Sequence, residues 1–251
     1  MIELKNLSAG YGGRTVVRGV TLSFLPGRVT ALCGPNGCGK STLLKAALGL
    51  MPREGGEVYI DGEPLASLTP RERARRAAYL PQERGAPSIS VRRLALHGRF
   101  PYLGWPRRYT PGDRAAAERA LERADALDMA ERLLPELSGG QRQRAFLAQA
   151  LAQETANVLM DEPTAFLDIA RQLAVMDTAR SLAQEGRCIV MVLHDLGLAL
   201  RRADTLAVMD GGIIAACGTP EEVYASGAID AVFKVRTHRA ASPGGWQYYF
   251  E

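Results

Sequence analysis

Residues Val29 to Leu50 read VTALCGPNGCGKSTLLKAALGL, and the order of residue types within them decides the fold. VTALC is a short apolar run of the kind that forms a strand buried on both faces. KSTLLKAALGL has the spacing of a helix. Between them GPNGCGKST, Gly34 to Thr42, fits the phosphate-loop pattern of glycine, four residues, then Gly-Lys-Ser/Thr. Glycines let the backbone wrap an anion closely, against successive N–H groups and the positive end of the helix. Lys40 supplies a compact charge for the β- and γ-phosphates, and Ser41 a hydroxyl for Mg²⁺. Gly34, Pro35, Asn36, Gly37, Cys38, Gly39, Lys40, Ser41 and Thr42 are therefore the candidate nucleotide-binding loop. Only four of the 31 basic residues are lysines, so a lysine at position 40 reads as kept for its chemistry.

Outward from the loop, the chain alternates strand-like and helix-like segments. IELKNL and VTLSFLPG read as strands flanking the turn SAGYGGR, and GGEVYIDG as an antiparallel strand closed by Asp61-Gly62. Arg71 to Ala77 reads as a short helix and AAYLPQ as a strand. Ser88 to Pro135 is helical in pattern apart from one aromatic stretch, with Asp113 to Ala126 clearly amphipathic. Strands NVLM and CIVMVL then alternate with helices Ile169 to Gln184 and Leu196 to Arg202, and TLAVMD and GGIIAAC follow as two short strands. This order predicts an α/β fold: a mostly parallel sheet core, an N-terminal antiparallel β edge and an inserted helical subdomain. VFKVRTHRAASPGGWQYYFE reads as a terminal hairpin around Pro243-Gly244-Gly245.

Composition narrows the class. With 251 residues and 47% hydrophobic content the chain can bury a substantial core. It has no run approaching the ~18 apolar residues of a membrane span and no signal-peptide profile at MIELKNLSAG, so it is expected in the cytosol or held at a membrane by partners. Cys33, Cys38, Cys188 and Cys217 lack metal-ligand spacing and are expected to be reduced. The net charge of +4 comes from arginines scattered along helices such as RERARR, which reads as solvated helix faces, and no nucleic-acid partner is expected.

Phosphate loops serve kinases, GTPases and ATPases alike, and further motifs choose among them. No guanine-reading Asn-Lys-x-Asp is present. NVLMDEP ends an apolar strand in two acids: Asp161 suits a Mg²⁺ shell and Glu162 the general base for an attacking water. LSGGQRQR, Leu137 to Arg144, precedes an amphipathic helix, with Ser138 as N-cap and Gly139 and Gly140 exposing backbone N–H groups, a second anion site.

Together these motifs resemble the ATP-binding cassette (ABC) ATPases over nearly the whole chain. The resemblance implies one cassette over 1–251, with a nucleotide-binding core at about 1–84 and 154–251 and a helical subdomain at about 85–153 carrying the signature. It implies ATP and Mg²⁺ as ligands and a head-to-tail homodimer, each signature (Ser138, Gly139, Gly140, Gln141) closing on the ATP held by the other copy. Residue by residue, Tyr11 matches the aromatic that stacks on adenine. Gln82 matches the glutamine that touches Mg²⁺ and water and links to the membrane partner. Asp168 matches the aspartate of the loop crossing the dimer interface, and His194 the switch histidine that contacts the γ-phosphate. The implied mechanism has Glu162 activate water, aided by His194, with closure and reopening moving docked transmembrane subunits.

Only 98 residues separate Lys40 from Ser138 (138 − 40), too few for the long coiled coil of repair cassettes, and translation cassettes commonly come in pairs. SVRRLALHGRFPYLGW and EPTAFLDIARQ resemble importers of iron–siderophore, haem and cobalamin complexes, with the siderophore branch favoured. That implies transmembrane permease subunits bound through the Gln82 to Tyr109 region, a substrate-binding protein engaged indirectly, and a place at the cytoplasmic face of the cell membrane. Haem or cobalamin is the alternative cargo, and a soluble cassette of translation or DNA repair the alternative class.

Two features leave a choice open, the first of them a departure from the family pattern. Cys38 stands where the family usually has Ser or Ala. Either the thiol simply fits, or the helix N-terminus lowers its pKa and makes it redox-sensitive with Cys33 nearby. HGRFPYLGWPRRY, His97 to Tyr109, either meets the permease, with Phe100, Tyr102 and Trp105 as apolar area and Arg99, Arg107 and Arg108 as polar rim, or lets Phe100 and Trp105 pack the helical subdomain's own core.

Overall fold

The computed structural model describes residues 1–82, 85–165, 167–243 and 245–251. Its first half runs β1 (Ile2–Tyr11), β2 (Arg14–Phe24), β3 (Val29–Cys33), α1 (Lys40–Ala47), β4 (Arg53–Ile60), β5 (Glu63–Pro64), α2 (Pro70–Arg76) and β6 (Ala77–Leu80). Helices α3 (Val91–His97), α4 (Pro111–Arg123) and α5 (Gly139–Ala152) follow, with short 3₁₀ turns between them. The chain then alternates through β7 (Asn157–Asp161), α6 (Ile169–Gln184), β8 (Cys188–Val192), α7 (Leu196–Arg202), β9 (Thr205–Asp210) and β10 (Ile213–Gly218). Helices α8 (Pro220–Ala225) and α9 (Ala228–Phe233) lead to the hairpin β11 (Thr237–Ser242) and β12 (Gly245–Phe250).

Six strands form the central sheet in the order β10-β9-β3-β8-β7-β6. All its pairs are parallel except β9 with β10. A second sheet, β2-β1-β4-β5, is antiparallel throughout. The expected α/β class, parallel core and antiparallel N-terminal edge are thus present. The continuous apolar runs follow from coverage on both faces. Ala31, Val158, Ile189 and Met191 face a core shared with α5, α6 and α7. Their neighbours Leu32, Leu159, Val190 and Val192 face the other way, onto α1 and the antiparallel sheet with Leu7, Phe24, Leu43 and Leu44.

Local differences from the sequence reading have local causes. The strands expected as IELKNL and VTLSFLPG extend through most of the expected turn, which shrinks to Gly12 and Gly13, at φ +57° and +81°. Positive φ at both positions is what a two-residue hairpin turn needs, and glycine adopts it without strain. The helix expected from Asp113 begins at Pro111, because Thr110 and Asp113 form a reciprocal capping box and Pro111 needs no N–H partner there. The helical pattern of Ser88 to Pro135 breaks into α3, α4 and 3₁₀ turns. The terminal hairpin is present, but Gly244 of its expected turn lies outside the described residues. Helices α8 and α9 had no counterpart in the sequence reading.

Candidate nucleotide site

Gly34 lies where a Cβ would come 2.2 Å from the Met209 carbonyl oxygen on β9, so no larger residue fits between loop and sheet. Gly39 caps α1 in the left-handed region at φ +110°. These two backbone demands fold Gly34–Gly39 into a loop at the C-terminal end of β3, on the N-terminus of α1. Lys40 is buried inside it and donates to the carbonyls of Gly34 and Pro35 at 2.7 and 2.9 Å. A cleft of about 450 Å³ opens beside it. Asn36, Gly37, Gly39, Lys40, Ser41 and Thr42 line it from the loop, and Gln82, Glu162 and His194 join from the ends of β6, β7 and β8. Ligands of parallel sheets gather at this edge.

Asp161 ends β7 at 1% exposure. One carboxylate oxygen accepts from the Tyr79 hydroxyl at 3.1 Å, and the other has no hydrogen-bond partner among the described residues. An unpaired buried carboxylate oxygen is costly, and a hard cation is the partner that would satisfy it. Ser41 and Gln82 add further oxygen donors. Among the described residues no three His, Cys, Asp or Glu side chains are grouped to hold a metal alone, so the set fits Mg²⁺ carried in with phosphates. Glu162 follows in the left-handed region at φ +52°, a conformation that costs a non-glycine residue about 1–3 kcal/mol. Its carboxylate lies 2.6 Å from Nε2 of His194, two residues past the end of β8.

The other expected site residues lie apart from this cleft. Tyr11 is half-exposed at the end of β1. Ser138 caps α5 by accepting from Gln141 N–H while the Gln141 side chain accepts from Ser138 N–H, and Ser138 and Gly139 face solvent. Gly140 is buried beside them. Asp168 caps α6, accepting from Arg171 N–H at 2.9 Å. None of these lines the Lys40 cleft. Three residues that matter locally escaped the sequence reading: Val16, which lines the cleft; Tyr79, which holds Asp161; and Gln143, which donates to the turn after β7. Tyr79 and Gln143 stand inside the quoted motifs YLPQ and LSGGQRQR, but the contacts that give them roles lie in another part of the chain.

The structure lends the redox reading of Cys38 no support. Burial pushes its thiol above the ordinary value despite Lys40, whose Nζ is 3.8 Å away, and pushes Cys33 up to about 12. A raised pKa is the direction opposite to the one the redox reading needs. The aromatic stretch is corrected residue by residue. Trp105 is 93% exposed and so does not pack a subdomain core; Phe100 is 46% exposed, against the rings of His97 and Tyr109. Arg99 is no rim residue: it is buried in an ion pair with Asp113 at 3.0 Å and also donates to the Ala152 carbonyl. Tyr102 is half-buried, donating to the Gln153 carbonyl beneath the Arg99 guanidinium. A groove of about 630 Å³ runs beside the stretch, lined by Leu48, Leu50, Tyr79, Phe100, Pro101 and Phe146 among others.

The sequence profile described as ABC transporter matches residues 17–165. The chain is 42% identical to the "Probable siderophore transport system ATP-binding protein YusV" of Bacillus subtilis, over 96% of this chain and 89% of that one. It is 41% identical to a hemin import ATP-binding protein, HmuV, of Thermobifida fusca, over 97% and 85%. Among solved structures, a dimeric ATP-binding cassette in a post-hydrolysis state bound to ADP and Pi superposes with a TM-score of 0.78 at 27% identity, over 88% of this chain and 99% of that one.

Proposed function

Since the chain belongs to the ABC transporter family as an ATP-binding, ATP-hydrolysing subunit, we propose that it powers the import of an iron–siderophore complex. The observation that carries the catalytic part is the convergence of Glu162 and His194, 2.6 Å apart, on the cleft lined by Lys40 and Ser41. Similarity to a siderophore transport subunit over almost the full length of both chains supports the cargo.

In this reading Lys40 and the loop N–H groups bind the ATP phosphates and Tyr11 stacks on adenine. Glu162 is the general base that takes the proton of the attacking water, and His194 holds Glu162 and the γ-phosphate in register. Ser41, Gln82 and Asp161 hold Mg²⁺, which neutralises charge developing on the β- and γ-phosphates. Ser138, Gly139, Gly140 and Gln141, at the start of α5 where Ser138 and Gly139 face solvent, serve the nucleotide of a second copy, with Asp168 at the same interface. The nucleotide-binding core is residues 1–84 with 154–251, and the helical subdomain carrying the signature is 85–153. Permease subunits dock through the 82–109 region, whose Gly85, His97, Gly98, Phe100 and Pro101 line one side of the groove beside the aromatic stretch; residues 83 and 84 lie outside the described set. A substrate-binding protein acts on the far side of the membrane, and this subunit sits at the cytoplasmic face. No helix among the described residues is long and apolar enough to cross the membrane; in this reading the permease subunits hold the chain there.

Haem is the second reading, favoured by the 41% identity to a hemin import subunit. Reconstitution with the candidate permease separates the cargoes. ATP hydrolysis should rise with binding protein loaded with ferric siderophore. A response to the haem-loaded protein alone would replace the siderophore reading, and one to cobalamin would replace both. Stimulation by ribosomes or nucleic acid, without response to the permease, would sink the transport assignment.

A further inference from the structure

We propose that Gln143 is a positioning residue for Glu162, pinning the strained turn that carries the base and tying its alignment to helix α5. The proposal rests on Glu162 being the general base.

Glu162 adopts a left-handed backbone conformation that no glycine relieves. Such conformations persist only where surrounding contacts over-determine them. Here one contact is local: Ala165 N–H donates to the Glu162 carbonyl at 3.2 Å. Another comes from a distant part of the chain. The buried side-chain amide of Gln143 donates to the Pro163 carbonyl at 2.7 Å and more weakly to the Glu162 carbonyl at 3.4 Å. Both acceptors belong to the peptides that follow the Glu162 Cα, so the amide restrains the direction in which the carboxylate leaves the backbone. Buried away from water, these bonds are stronger and their loss dearer than at a surface.

Gln143 lies five residues after Ser138 on α5, which spans Gly139–Ala152. That places the amide roughly 7 Å along a rigid helix from the solvent-exposed end proposed to meet the second copy's nucleotide. A helix transmits tilt without absorbing it. Movement at Ser138 can therefore reach the Glu162 turn through the Gln143 side chain. General-base catalysis is steeply sensitive to such shifts, with about 1 Å costing on the order of 100-fold.

The test is Gln143→Met, which keeps length and volume but removes the amide, with Gln143→Asn as a second, polar variant whose shorter side chain withdraws it. For each, thermal melting, ATP binding and steady-state hydrolysis are measured on the full chain with Mg²⁺. The expected result is a kcat lowered about 10- to 100-fold with KM and ATP affinity within about twofold of wild type. Adding Gln143→Met to Glu162→Gln should lower the residual rate no further, since the group being positioned is gone. The proposal is overturned if a folded variant keeps wild-type kcat, if ATP affinity falls in step with kcat, or if the two substitutions multiply. It is overturned too if both variants lose their melting transition, which would make Gln143 a structural residue only. Should Glu162→Gln alone hydrolyse ATP at the wild-type rate, the base assignment itself fails, a result distinct from an active Gln143→Met.

Discussion

Asp161 and Glu162 are adjacent in sequence and opposite in environment. Asp161 is sealed in, with one oxygen held by Tyr79 and the other without a partner among the described residues, whereas Glu162 turns toward the cleft and His194. An apolar strand ending in two acids was enough to single out both carboxylates, because strand direction and the phosphate loop fix which end of the sheet they occupy. Their supports were not legible: Tyr79 and Asp161 are 82 residues apart, and no spacing rule joins a tyrosine on one strand to an aspartate at the tip of the next. Glu162→Gln keeps the shape of the side chain and removes its basicity. It should bind ATP as wild type does while hydrolysis falls by about 10²–10⁴, read by nucleotide binding and by phosphate release. Tyr79→Phe removes only the hydroxyl that orients Asp161. The Mg²⁺ concentration for half-maximal hydrolysis should rise about tenfold, with ATP binding in EDTA unchanged; an unshifted Mg²⁺ dependence would show that Asp161 orients itself.

Helices α3, α4 and α5 are fastened by polar contacts that a hydrophobic pattern does not reveal. The sequence located α4 from its amphipathic period, yet what anchors its start is Asp113, which accepts from Thr110 N–H and hydroxyl and from Arg99. Arg99 in turn reaches the Ala152 carbonyl at the end of α5 and Glu154 beyond it. Arg99 was misread as rim because arginines interleave with aromatics in this stretch, and a residue's partner 14 positions on is invisible to local composition. Burial alone would raise the Asp113 carboxyl; the Thr110 and Arg99 hydrogen bonds more than offset it and hold the group below its ordinary value of 3.8. A carboxyl depressed on folding stabilises the fold above its unfolded value and loses that contribution as pH falls through the lower folded value. Wild type should therefore lose stability below about pH 4, and Asp113→Ala should melt earlier, by about 3 kcal/mol at pH 7, with a shallower fall in acid. Equal acid slopes in the two proteins would show that other carboxylates dominate. The short helices α8 and α9 went unread for a related reason: six residues give less than two turns, too few for a period to show.

At the scale of the whole molecule, the two hydrophobic layers account for the central sheet's apolar strands and leave a few large apolar side chains outside. Trp105 is the most exposed of them among the described residues, next to Phe100, which lines the groove with Leu48, Leu50 and Phe146. The sequence raised the right question about this stretch but could not answer it, since an aromatic without helical or strand period fits an interface as well as an irregular core. Exposure takes Trp105 out of the core and leaves the interface as the proposal to test. A fully hydrated tryptophan adds little to the stability of its own chain, whereas aromatic anchors beside pockets dominate association energies. Trp105→Ala should accordingly leave the melting temperature and ATP binding unchanged, with any stability change within about 0.5 kcal/mol. Its affinity for the permease, measured by co-purification and by titration of detergent-solubilised complex, should fall at least about tenfold. Phe100→Ala, half-buried against His97 and Tyr109, should show the same loss of affinity together with a modest fall in melting temperature. If Trp105→Ala assembles like wild type while Phe100→Ala does not, the contact lies in the groove itself and the tryptophan stands outside it.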